Sequence, residues 1–290
     1  EQWDGTNWTE SGDINTGRNS GTSFGITTAA IYAGGRTPGS TPGVANVESW
    51  NGSTWTEIND LNQARYAASA SGTQTNGMVF SGYQPPNNFA NTEVFDGTSF
   101  TEVGDLGTAV REAANANNPS QGIANALSFG GFTTVYTSVT ETWTAPSVFT
   151  KITEGQLFFN STTNTFKETI TDIPGTSWAS GGSMNTARRG QRGTGSMTAG
   201  LVFGGGNPPP TVLTESYNGT AFTEVNDLNT GKNNGAGFGT QASTIATNEA
   251  NVELWNGSSW TETTEVNTDR TSYAGATGPT SAGIVFGGYT

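Results

Sequence analysis

Six times along its 290 residues the chain repeats a Glu-x-aromatic triplet, at Glu1/Trp3, Glu48/Trp50, Glu93/Phe95, Glu141/Trp143, Glu215/Tyr217 and Glu253/Trp255. A recurring phrase constrains the fold more than composition does, because each copy must form a small unit that buries its apolar side only against the next copy. In five copies Asn-Gly or Asp-Gly follows at once: Asp4/Gly5, Asn51/Gly52, Asp96/Gly97, Asn218/Gly219 and Asn256/Gly257. That dipeptide supplies positive φ angles and predicts strand, two-residue type I′ turn, strand. A second aromatic stands five residues after the first in the same copies, at Trp8, Trp55, Phe100, Phe222 and Trp260. An odd spacing across a turn leaves open whether the two rings share a face. Packing between neighbouring sheets is the simplest use for them.

Ten residues beyond Trp8, Trp55, Trp178, Phe222 and Trp260 stand Arg18, Arg65, Arg188, Lys232 and Arg270, and Arg111 stands eleven beyond Phe100. Six of the eleven basic residues thus fall in one repeat slot, so they are expected to pair with acidic repeat positions or backbone carbonyls. A small-residue stretch and an apolar strand follow, as in AIYAGG (30–35), MVFSGY (78–83), LSFGGF (127–132), LVFGGG (201–206) and IVFGGY (284–289). The remaining unit has only a weakened ASTIATN (242–248). Each unit therefore supplies four strands, a and b before the Gly-Gly, c and d in the Glu-x-aromatic hairpin. Four short strands per unit of about 40–50 residues is the pattern of propeller blades.

Gly-Gly after an apolar strand, then an aromatic hairpin, then a basic residue opening the next unit, resembles the kelch class of β-propeller. The phrase WNGSTWTE…DLN…AR…FGG also resembles repeats in virion proteins of marine bacteriophages. The fold expected is all-β: a six-bladed kelch-like propeller of four antiparallel strands per blade, filling residues 1–290 as one domain. The C-terminus ends on a and b strands and the N-terminus begins with c and d, so N-terminal strands should complete the C-terminal blade. Counted through the two ends, Arg270 to Arg18 spans 38 residues, as does Lys232 to Arg270. Such closure leaves no unpaired blade edge at the seam. The chain starts without Met, which fits a processed product or an excised piece.

The period breaks once: 74 residues separate Glu141 from Glu215, against 38 to 48 elsewhere. An inserted hairpin segment at about 144–176 accounts for the excess. Taking Trp178 as the d-strand ring makes it an extended c to d connection; taking Phe149 instead moves it to the other face. The insert carries GQLFFNSTTNTFKETI, whose Phe158, Phe159 and Phe166 are candidates for docking a neighbouring subunit.

Composition excludes several functions. A net charge of −13 opposes phosphate backbones and anionic lipid, so neither nucleic acid nor membrane insertion is expected. Absence of Cys and His removes disulfides, thiolate chemistry, imidazole bases, the usual zinc sites and the ligands of kelch-type copper oxidases. No cofactor and no metal site are expected. The Asp-Gly-x-x-Trp hairpin is similar to the Asp-box of sialidases, but a tight turn before a core aromatic gives the same letters. Arg188, Arg189 and Arg192 cluster in sequence, yet Arg188 belongs to the repeat and the others read as solvated.

In such a blade the b to c and d to a connections share one face, and the b to c loops vary most: 36–46, 83–91, 132–139 and 206–213. Their aromatics and amides suit stacking on sugars and hydrogen bonding to hydroxyls. The candidate ligand-binding residues are Arg36, Tyr83, Asn87, Asn88, Phe89, Phe132, Tyr136 and Asn207. The expected function is non-enzymatic: a phage virion surface or tail protein, extracellular, contacting a host-surface glycan or another virion protein, with many copies in one assembly. The rivals are a purely structural decoration or connector and a carboxylate-based glycan hydrolase or lyase.

Overall fold

The structure, a computed structural model, describes residues 1–40, 42–116, 122–144, 157–160, 165–168, 177–206, 209–270 and 275–288. Six four-stranded antiparallel sheets form the blades of a β-propeller. In the order a to d from the axis outwards, blade 1 is Thr22–Ile26, Ala29–Ala33, Val47–Trp50 and Trp55–Ile58. Blade 2 is Ser69–Thr73, Asn76–Phe80, Thr92–Phe95 and Phe100–Val103; blade 3 is Ala114–Ala116, Asn125–Phe129, Thr140–Thr144 and Ser177–Ser180. Blade 4 is Arg192–Ser196, Ala199–Phe203, Thr214–Tyr217 and Phe222–Glu224; blade 5 is Ala236–Thr240, Ser243–Asn248, Asn251–Trp255 and Trp260–Glu262. The weakened ASTIATN copy thus makes a full strand. Blade 6 combines both ends of the chain, Gly275–Thr277 and Gly283–Phe286 with Gln2–Trp3 and Trp8–Thr9. Trp3 lies opposite Gly283 and Gln2 opposite Ile284, so the seam is an ordinary antiparallel ladder.

The hairpin turns differ from the type I′ expectation. In the five copies the Asn or Asp amide donates to the carbonyl three residues on, as Asn51 does to Thr54 at 3.3 Å. Only the Gly, with φ of 93 to 98°, is left-handed among the two central residues, which is the type II′ pattern. The Asn or Asp stands before the turn, where its Oδ1 accepts the next two available amides, as Asn51 does from Ser53 and Thr54 at 3.0 and 2.9 Å. A two-residue turn closed this way puts the flanking aromatics directly opposite one another. Trp50 faces Trp55 and Trp255 faces Trp260, with ring centroids 5.3 and 5.4 Å apart.

In blade 3 Trp143 lies opposite Trp178, so Trp178 is the d-strand ring and the long connection leaves from the c to d side. Within it Leu157–Asn160 pairs with Thr165–Glu168, Phe159 opposite Phe166 in backbone register. Phe158 lies on the first of these strands.

Six clusters of buried side chains form the core, one at each junction of adjacent blades. The junction of blades 1 and 2 holds Phe24, Ile31, Val79 and Phe95, and that of blades 6 and 1 holds Tyr32, Trp55, Ile284 and Phe286. Tight junctions need small residues where a neighbouring ring presses on backbone. A Cβ on Gly77 would stand 2.1 Å from the Phe24 ring. The a strands abut one another around the whole circle and line an axial channel of small and polar residues.

Candidate binding face

The repeated basic slot is structural, as its spacing suggests. Arg65 donates to Glu93 at 2.7 Å, to the Ser81, Asn91 and Gln63 carbonyls at 3.0, 2.8 and 3.4 Å, and its side chain is 1 % exposed. Arg18 does the same with Glu48, Arg188 pairs with Glu215, Lys232 with Glu253 and Arg270 with Glu1. Each pair ties the connection entering a blade to the head of its c strand. Burial lowers the pKa of Arg65 and of Lys232, and the paired carboxylate opposes that shift in both.

Arg111 does not belong to this slot. Val110, ten residues after Phe100, occupies it: its carbonyl accepts from Gly82 at 2.9 Å, as that of Arg65 does from Gly35 at 2.9 Å. Backbone conformation gives the same register, since the residue two beyond the slot is left-handed at Ser20, Ala67, Glu112, Gly190 and Asn234. The eleven-residue spacing was the sequence signal. One residue out of the slot, Arg111 comes to the face shared by the b to c and d to a connections.

There it joins a continuous series of cations and rings running across four blades. Arg36 stacks on Tyr66 at 5.1 Å, Tyr66 meets Tyr83 edge-on at 5.4 Å, and Arg111 lies over Tyr83 at 4.2 Å and over Phe132 at 4.6 Å. Arg189 lies over Phe132 at 5.0 Å and over Tyr136 at 5.5 Å. Glu112 bridges the two guanidiniums, 3.9 Å from Arg111 and 3.5 Å from Arg189. Burial pushes the Tyr66 phenol up, while Arg36 pulls it down. Stacking of this kind holds a guanidinium rigid while leaving its in-plane donors for an acceptor. The terminal nitrogens of Arg36 and Arg189 take no hydrogen-bond partner among the described residues.

The sequence-predicted residues have distinct places. Arg36, Tyr83, Phe132 and Tyr136 belong to the series. Asn88 fastens it, donating to the Phe132 and Thr133 carbonyls at 3.2 and 2.6 Å and accepting from Arg111 at 3.1 Å. Asn87 is exposed, opposite Gln84 in a short hairpin. Phe89 turns inward, with Arg65 over its ring at 5.4 Å. Asn207 lies outside the described residues. Tyr66 and Arg111 were missed as surface residues because each sits in or beside a repeat phrase, and Arg189, read only as solvated, is stacked on two rings. Arg188, Arg189 and Arg192 do not converge: the first is buried on Glu215, the second is in the series, and Arg192 donates to Gly235 beside the channel.

Two features mark this face out. Arg36, Arg111 and Arg189 are three of the four basic residues outside the slots among those whose side chains are described. Of four exposed large hydrophobics among the described residues, Val135, Tyr136 and Val139 are on the 132–139 loop. Fold and face together define a six-bladed β-propeller with a cationic, aromatic patch on one side. No family model matches the chain, and no curated protein matches it. In shape it is similar to the solved structure of YjhT, at 11 % identity and a TM-score of 0.70, over 96 % of this chain and 92 % of that one.

Proposed function

We propose that this propeller is a non-catalytic binding module of the kelch type, carried on the surface or tail of a phage virion, which uses the patch over blades 1 to 4 to hold a host-surface glycan. The observation that carries the reading is the gathering of Arg36, Arg111 and Arg189 with Tyr66, Tyr83, Phe132 and Tyr136 on one face. Nothing in the blade repeat requires them, since they stand outside the slots, five of which contain the structural cations. Rings and guanidiniums side by side suit a ligand with both apolar ring faces and hydroxyl or acidic groups. Individual contacts on so open a face are weak, and display of many copies raises avidity by about a hundredfold or more.

The test is attachment of multivalently displayed protein to a glycan array and to candidate host cells, comparing the native chain with Arg111→Ala and Tyr136→Ala. Binding that falls at least about tenfold in both variants supports the patch. Undiminished binding by folded variants overturns it. Binding to virion proteins but to no glycan replaces the glycan by a neighbouring subunit.

A further inference from the structure

Blade 3 departs from the other blades inside its core, at the slot where Val110 stands. The complete set of slot acceptors is seen in blades 1 and 2. Arg18 donates to the carbonyls of Thr16, Gly34 and Asn46 at 3.4, 2.9 and 2.6 Å and to Glu48 at 2.8 Å. Arg65 repeats this with Gln63, Ser81, Asn91 and Glu93. Carried by the repeat onto blade 3, the same four acceptors are the carbonyls of Thr108, Gly130 and Val139 and the carboxylate of Glu141. A small cavity lies there, lined by those four residues with Val110, Ser128 and Thr137. Val110 supplies neither the charge nor the length of an arginine. What it leaves is a cavity about the size of one water molecule, with polar and apolar wall in comparable measure and the Glu141 carboxylate among its lining residues.

Glu141 is 5 % exposed and accepts amides from Gly107 at 2.6 Å and Thr108 at 3.0 Å. Its counterpart Glu93 has in addition an Asn62 side-chain amide and the Arg65 guanidinium. Gly107 stands where Asn62 does, so blade 3 lacks both. A buried carboxylate among carbonyls strongly favours a positive charge beside it.

We propose that this site binds a hard metal cation, Na⁺ or Ca²⁺, in the place that arginine or lysine takes in the other five blades. Carboxylate, carbonyl and hydroxyl oxygens are the ligands such ions prefer, and Ser128 and Thr137 are among the lining residues, the Thr137 hydroxyl accepting from the Val139 amide at 3.1 Å. The cavity is too small for an organic cation. A single carboxylate puts the affinity in the weak class, a Kd of about 10⁻⁴–10⁻³ M for Ca²⁺. Thr137 and Val139 belong to the loop that carries Tyr136, so a bound cation fastens the base of that loop.

The experiment measures melting of the full chain in NaCl, CaCl₂ and tetramethylammonium chloride at matched ionic strength, with Tb³⁺ emission sensitised through Trp143 on the same strand as Glu141 as a direct readout. The native chain should melt at least about 2 °C higher in NaCl or in about 10 mM CaCl₂ than in the organic salt, and the arm that responds identifies the ion. Val110→Arg, or Val110→Lys on the precedent of Lys232, fills the site from within and should abolish both the rise and the Tb³⁺ emission. An equal response in a folded Val110 variant, or no response in the native chain, overturns the proposal.

Discussion

Replacing Arg65 with Ala removes four donated hydrogen bonds, one to a carboxylate 2.7 Å away, from a site where both charged side chains are 1 % exposed. Loss of one partner of a buried pair costs about 3–5 kcal/mol, since the other charge stays behind uncompensated. Glu93 is not left bare, however. It keeps the Asn62 amide at 2.7 Å, the Asn62 side chain at 3.0 Å and the Gln63 amide at 3.3 Å, which lowers the expected loss to about 2–4 kcal/mol. For a domain of this size that is a fall of about 3–7 °C in Tm. Arg36→Ala, by contrast, removes a half-buried side chain with one hydrogen bond to Asn19 and one stacked ring, and should cost less than about 1 kcal/mol. Calorimetry and urea unfolding of the two variants beside the native chain give the comparison. Equal melting temperatures for Arg65→Ala and Arg36→Ala would refute the idea that the slot cations hold the blades. Blade 3 supplies an internal control: Val110 fills the same position, so Arg65→Val should be milder than Arg65→Ala.

Two further predictions concern the same core. Tyr32 is fully buried, its hydroxyl donating to the Arg18 carbonyl at 3.3 Å, and burial pushes its phenol up to about 12, with Arg18 opposing. A folded value above the unfolded one means that the folded chain holds the proton more tightly, so the contribution is complete below about pH 10 and is lost between about pH 10 and 12. That loss amounts to about 2–3 kcal/mol, and a stability profile of Tyr32→Phe that declines as steeply over this window as the native one would exclude Tyr32 as its source. Deleting residues 1–15 should expose the edge of Gly283–Phe286 and remove Trp3 and Trp8 from the junction with blade 5, with loss of cooperative unfolding or aggregation. A deletion variant that melts as sharply as the full chain would show that the ring does not depend on its seam.

Repetition made the fold legible. Six copies of the Glu-x-aromatic triplet, a fixed ten-residue interval to the basic slot and matching half-units at the two ends specify six blades and their closure, since each local phrase encodes a hairpin or a strand. The turn type was misread because Asn-Gly alone does not say which residue occupies the first central position; the closing hydrogen bond from Asn51 to Thr54 does. The site was legible only in pieces. Four of its rings and cations were visible as residues of variable loops, whereas Tyr66 and Arg111 were hidden in or beside the repeat phrases and Arg189 read only as a solvated charge. Arg36 and Arg189 lie more than 150 residues apart in the chain, and the series between them exists because four successive blades bring their loops to the same side of a closed ring. Likewise Val110 and Glu141 line one small cavity only because the connection entering a blade folds back on its c strand. Local pattern determines a strand or a turn; which side chains from separate blades meet is decided by register and ring closure, and those exist only in the assembled molecule.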